Sequence, residues 1–150
     1  MIIRNMEKRD LEQVSNIENN TFTRPWTYQD FESAIDDSNN LYQKLYLVAE
    51  EEGNILGYCG LWGIAGEGQI NNVAVKESCR NKHVGLTMLK ELIYRGFQND
   101  LNAFTLEVRG SNQSAIKLYQ NLGFVNVGIR KNFYDFPNED AIIMWLRCDE

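Results

Sequence analysis

Glu107 and Tyr119 carry groups that could move a proton. Glu107 closes an alternating apolar stretch at 103–108. A carboxylate at the carboxyl end of a strand in an α/β sheet can face a bound ligand and take a proton directly or through water. Taken alone, the same residue reads more readily as a surface strand residue paired with Arg109. Tyr119 stands about two helical turns beyond Asn112. Its phenol could donate a proton to a leaving group, and its spacing also puts it in an apolar helix stripe; one side chain can do both. Asn112 either caps that helix or binds a ligand amide. Upstream, Arg80, Asn81, Lys82, His83, Val84, Gly85 and Leu86 form a basic turn that opens a helix. A helix start offers unpaired N–H groups and partial positive charge, Gly85 permits close backbone approach, and Arg80 and Lys82 can neutralise phosphate. An ordinary charged helix start has the same composition. The turn is neither a P-loop nor the dinucleotide G-x-G-x-x-G.

Composition removes several alternatives. His83 is the single histidine, so a Ser-His-Asp triad or a multi-histidine metal site would have to be built around it, and no metal is expected. Cys59, Cys79 and Cys148 are far apart, fit no zinc spacing and point to a reducing compartment; each reads best as a small apolar residue. The formal net charge of -6 argues against a broad basic face for nucleic acid. No apolar run is long enough to span a bilayer, and the opening MIIRNMEKRD lacks an apolar signal core. A cytoplasmic place of action is the expectation, with neither membrane nor nucleic acid as partner.

The elements that must position these residues follow from periodicity. The spacing predicts a short strand at 2–4 and a helix over 8–20 carried by Leu11, Val14 and Ile17, with Glu18 on its solvated side. Pro25 breaks the chain at 21–26, and Thr27 with Asp30 reads as a capping box opening a second short helix with Phe31, Ala34 and Ile35 inward. A turn follows at 36–40. Strands at 45–50 and 55–64 are joined by a hairpin signal at 52–54, and 65–68 turns into a strand at 69–75. A helix over 84–97 places Leu86, Leu89, Ile93 and Phe97 on one stripe with Leu92 beside it. Strand 103–108, a helix at 112–121 closed by Gly123, and strands near 124–130 and 140–147 complete the chain. Strand 69–75, helix and strand 103–108 make a β-α-β unit, hence a parallel pair within a mixed sheet. No repeat, linker or low-complexity stretch divides the chain, so a single domain over 1–150 is expected.

The combination of the NNVAV strand, the R-N-K-H-V-G turn and the later N-x-x-A-x-x-L-Y-x-x-x-G-F segment resembles the GNAT superfamily of N-acetyltransferases over essentially the whole chain. Within it, LEVRGSN, LYQNLGF, RKNFYDFPNEDAIIM and the early RPW are similar to the branch that acetylates ribosomal-protein alanine. The resemblance implies an α/β (α+β) fold, a mixed, mostly antiparallel sheet of about seven strands with four helices and a central parallel pair splayed around the cofactor. It implies acetyl-CoA as co-substrate. Backbone groups of Val73, Ala74 and Val75 would hold the pantetheine and acetyl group, the turn from Arg80 to Leu86 the pyrophosphate, and Asn112 would touch the cofactor. Glu107 would be the general base and Tyr119 the general acid, with direct attack of the amine on the thioester. The acceptor would be a protein N-terminal α-amine, that of an alanine in a small-subunit ribosomal protein; a small-molecule amine, or a non-catalytic acyl-CoA-binding domain, are the alternatives. Trp26 and Tyr134 would flank the acceptor, and Asp135 would meet its amine or a basic residue. Packing in core or lid is the equal alternative for Trp26. A monomer or weak homodimer is expected. The family's turn is usually [QR]-x-x-G-x-[GA]; here His83 stands in place of the first glycine.

Overall fold

The computed structural model describes residues 1–36 and 43–147. The turn expected at 36–40 lies, after Asp36, outside the described residues, as does Cys148. The chain runs β1 (Ile2–Asn5), a 3-10 turn (Lys8–Asp10), α1 (Leu11–Thr21), α2 (Tyr28–Ala34), β2 (Gln43–Glu51), β3 (Asn54–Ile64) and β4 (Glu67–Val75). A second 3-10 turn (Glu77–Cys79) leads to α3 (Val84–Gln98), β5 (Ala103–Arg109), α4 (Gln113–Asn121), β6 (Val125–Tyr134) and β7 (Glu139–Arg147). The strands form one sheet in the order β1-β2-β3-β4-β5-β7-β6, and β4–β5 is its parallel pair.

Local chemistry explains the joints. Thr27 Oγ1 accepts from Asp30 N–H at 3.1 Å and Asp30 accepts from Thr27 N–H at 2.8 Å, so the capping box opens α2. Glu52 and Gly53, and again Ala65 and Gly66, have positive φ at consecutive positions, the backbone a two-residue hairpin needs to match strand twist. The expected first helix begins instead as a 3-10 turn, because Asp10 folds back to accept from Glu7 N–H at 2.8 Å.

Helices cover both faces of the sheet. On one, Met88, Leu89, Leu92, Phe104, Leu106, Val108, Tyr119 and Phe124 form a core between α3, α4 and the strands. On the other, Leu11, Val14, Ile17, Phe31, Ala34, Tyr46 and Tyr58 pack under α1 and α2. The buried stripe of α3 is Val84, Gly85, Met88, Leu89, Leu92, Ile93 and Gly96. Phe97, expected on that stripe, is 40% exposed at its margin, with its ring 5.3 Å from Phe104. Gly96 takes the buried position because Phe104 lies against it; a Cβ there would sit 2.6 Å from the ring.

Two irregularities shape the centre of the sheet. The parallel register joins Glu67, Gly68 and Gln69 to Ala103, Phe104 and Thr105 and then stops, so β4 and β5 part toward their carboxyl ends. In the β3–β4 ladder Gly60 opposes Asn72 and Leu61 opposes Ile70, which leaves Asn71 as an extra residue. That bulge changes the phase of the strand. Ile70, Val73 and Val75 face the α3 core, whereas Asn72 and Ala74 face the α1–α2 side.

Candidate active site

The parted strands leave a slot in the sheet between the carboxyl halves of β4 and β5. Beyond Gln69, the edge of β4 that carries Val73, Ala74 and Val75 has no ladder partner on β5. Its backbone groups are therefore available to an extended ligand lying in the slot.

At the end of β4 the chain passes through the basic turn. Arg80 Nε donates to the Val75 carbonyl at 3.1 Å, which folds the guanidinium over the turn. Asn81 (φ 65°) and His83 (φ 62°, ψ 19°) both adopt the left-handed conformation. His83 is the N-cap of α3, and no side chain caps the helix. The N–H groups of Val84, Gly85 and Leu86 precede the first intrahelical bond, from Thr87 N–H to His83 O at 3.0 Å, and so remain open to an anion. Gly85 is seated tightly: a Cβ would lie 3.3 Å from Leu118 and 3.5 Å from Val75. Lys82 and His83 are exposed. A cavity of about 610 Å³ opens beside the turn, between Asn16 and Asn20 of α1 and Lys76, Ser78 and Arg80. The polypeptide thus fits an extended thiol ester ending in a diphosphate: open backbone along the slot, uncapped N–H groups and cations at its end.

Glu107 and Tyr119 lie on opposite faces of the sheet. Leu106 and Val108 point into the α3 core, so their neighbour Glu107 projects from the other face. Its side chain is 19% exposed, with Arg130 Nε 2.9 Å from Oε2. The pair lacks hydrogen-bond alignment, which leaves that oxygen enclosed without an aligned donor. The expected partner Arg109 is engaged elsewhere. It pairs with Glu139 at 3.3 Å and donates to the carbonyls of Asp135 and Pro137, both at 2.9 Å. Arg109 therefore pins the β6–β7 tip, with its guanidinium 4.5 Å from the Tyr134 ring centroid.

Tyr119 comes from α4 on the other face. It is buried, its ring 5.9 Å from Phe124. Burial, helped by the neighbouring Tyr134, pushes its phenol well above the ordinary value. Tyr134 is itself pushed up to about 12, by burial first and then by the nearby Glu107 charge. Glu107, Tyr134 and Tyr119 thus share one locality, and both phenols hold their protons at neutral pH. Asn112 Oδ1 accepts from Ala115 N–H at 3.2 Å, so it caps α4 while remaining exposed.

The residues expected beside the acceptor form a second group. The Trp26 ring is half-buried against Phe31 and Tyr46, at centroid distances of 5.1 and 6.3 Å. Asp135 is exposed and pairs with Arg24 at 3.4 Å. Glu18, expected on a solvated helix side, is buried. Its carboxylate accepts from Trp26 N–H at 2.9 Å and from the Tyr58 hydroxyl. Burial pushes Glu18 up, opposed only in part by those two donors. Helical periodicity does not reveal it, because a carboxylate beside Ile17 reads as the polar edge of the stripe. Arg130 was also missed, since its partner lies across β7 and at no fixed distance along the chain. Among the described residues, no group of His, Cys, Asp and Glu could hold a metal ion, and no helix is long and apolar enough to cross a membrane.

Comparison with known proteins agrees with this geometry. The profile of the Acetyltransferase (GNAT) family matches residues 11–124. A Bacillus subtilis (strain 168) protein, provisionally named a ribosomal protein bS18-alanine N-acetyltransferase, is 38% identical over 148 residues, covering 99% of this chain and 96% of its own. The Escherichia coli (strain K12) ribosomal protein bS18-alanine N-acetyltransferase is 31% identical over 146 residues, covering 96% of this chain and 95% of its own. The crystal structure of the ribosomal-protein alanine N-acetyltransferase from Escherichia coli superposes with a TM-score of 0.86 at 30% identity, covering 99% of this chain and 94% of that one. With a parted β4–β5 pair, an uncapped basic helix start and this likeness over its whole length, the chain belongs to the GNAT family of N-acetyltransferases.

Proposed function

We propose that this protein transfers the acetyl group of acetyl-CoA to the N-terminal α-amine of a protein, the alanine of a small-subunit ribosomal protein in the cytoplasm. The observation that carries the reading is the slot itself, with the Glu107 carboxylate on one face of the sheet and the protonated Tyr119 phenol on the other. The extensive likeness to ribosomal-protein alanine N-acetyltransferases supports the acceptor class.

Acetyl-CoA supplies the activated thioester. Val73, Ala74 and Val75 hold its extended part along the free edge of β4. The N–H groups at 81–86 with Arg80 and Lys82 hold the diphosphate, and Asn112 closes the site from the start of α4. Glu107 takes the proton of the incoming ammonium. An α-amine of pKa about 8 loses its proton near neutrality for roughly 1 kcal/mol, whereas a lysine at about 10.4 costs several. A half-buried carboxylate is therefore matched to a chain terminus. Tyr119 faces the leaving sulfur. A phenol held well above its ordinary value is a weaker acid than a thiol of about 8.5, so its main contribution is a hydrogen bond to charge developing on sulfur. Trp26, Tyr134 and Asp135 shape the acceptor side.

The test compares an alanine-terminated peptide with the same peptide N-terminally blocked but carrying a lysine, and with spermidine, following thiol release. The free α-amine is expected to be the acceptor. Glu107→Gln and Tyr119→Phe should each lower kcat by about 10²-fold or more while leaving acetyl-CoA binding within a few fold. Acetylation of spermidine alone, or unchanged rates in both variants, would sink the assignment.

A further inference from the structure

Arg24 touches two consecutive residues of the opposite acceptor loop. Its Nη2 lies 3.4 Å from Asp135 Oδ2, and its guanidinium carbon lies 5.0 Å from the Phe136 ring centroid. Both loops are rooted in buried structure. On one side, Trp26 N–H is held by buried Glu18 and the Trp26 ring packs on Phe31. On the other, Arg109 binds the carbonyls of Asp135 and Pro137 and lies over Tyr134. The clasp itself is open to water, with Arg24 and Asp135 side chains 67% and 58% exposed. It lies one residue from Tyr134, whose phenol feels the Glu107 charge.

We infer that Arg24 is a specificity-determining residue: by clasping Asp135 and Phe136 it bridges the two loops beside the Glu107 face of the slot, so that the acceptor must thread beneath the bridge as an extended chain end. This rests on the proposed acceptor class and adds the element that sets its shape. Firm roots and a weak, screened closure suit a gate that opens for loading and closes again. A guanidinium is suited to the position because it can pair with a carboxylate and lie on an aromatic face at once. Asp135 then serves the bridge and leaves the acceptor's cation to other groups.

The test uses an alanine-terminated peptide without charged side chains, and the same N-terminus fused without a linker to a small folded domain. Arg24→Ala should raise the peptide KM about three- to tenfold with kcat within about twofold, leave the acetyl-CoA KM unchanged, and narrow the preference for the free peptide over the fusion. Raising salt should raise the wild-type peptide KM and leave that of the variant unmoved. Asp135→Asn should reproduce the effect, the double variant should add nothing, and Arg24→Lys should restore it in part. Unchanged KM and preference in Arg24→Ala would overturn the inference. So would Asp135→Asn weakening only a peptide with a basic second residue, since Asp135 would then bind the acceptor directly. Amide exchange over 22–27 and 134–138 reads the bridge without turnover: protection should fall in Arg24→Ala and in high salt, and equal protection would refute it. Absence of peptide acetylation by the wild type would sink the acceptor assignment, while exchange would still decide the bridge.

Discussion

His83 occupies the position where the family's turn usually has glycine, and it holds the left-handed backbone that favours glycine. The side chain is exposed, so the departure lies in backbone energy more than in crowding. His83→Gly should raise stability by about 0.5–1 kcal/mol, the relief of strain less the extra freedom of the unfolded chain. A denaturant midpoint at unchanged slope measures it, and calorimetry should find acetyl-CoA bound as tightly or better. A marked loss of affinity would instead show that the imidazole contacts phosphate. This substitution was legible in the sequence, because a motif position names its residue. The partner of Glu107 was not: Arg109 is nearer along the chain, yet Arg130 reaches it across β7.

At the scale of elements, the spacing of Ile70, Val73 and Val75 carried a signal of its own. Three residues followed by two breaks strict alternation, and the bulge at Asn71 is the structural reason. The stripe of α3 departs from its hydrophobic pattern at one end: hydrophobicity places Phe97 inward, but Phe104 claims the space and only Gly96 leaves room. Gly96→Ala gains helix propensity of about 0.8–1 kcal/mol and must still displace the Phe104 ring, an overpacking cost of about 1–3 kcal/mol. The expected outcome is a net loss of stability with a lowered thermal midpoint. A raised midpoint would mean that the ring shifts freely.

Across the whole molecule, two buried carboxylates give stability opposite dependences on pH. Asp10 receives both terminal nitrogens of Arg4 at 2.8 Å and the Glu7 N–H. Burial pushes its pKa up, but these donors outweigh it and hold it below the usual carboxylate range. Its contribution is complete above the unfolded value of about 3.9 and is lost as pH falls through the lower folded value. Glu18 is shifted the other way by burial, so the folded state holds its proton more tightly. Its contribution is complete below about 4.3 and declines as pH rises through the folded value. Denaturant titrations from acid to neutral pH should therefore show Glu18→Gln gaining on the wild type as pH rises. The deficit of Asp10→Asn should shrink as pH falls below about 4. Profiles parallel to the wild type in both variants would contradict these assignments.

The sequence by itself determined the order of elements, the capping box at Thr27 and the basic turn, because each depends on neighbours a few residues apart, and the family, because its motifs keep their order along the chain. The tertiary structure alone decided where β4 and β5 part, that Glu107 and Tyr119 lie on opposite faces of the sheet, that Glu18 is buried, and that Arg24 reaches Asp135 and Phe136. Those relations join residues far apart in the chain. They arise from the register and curvature of the sheet, which no local pattern encodes.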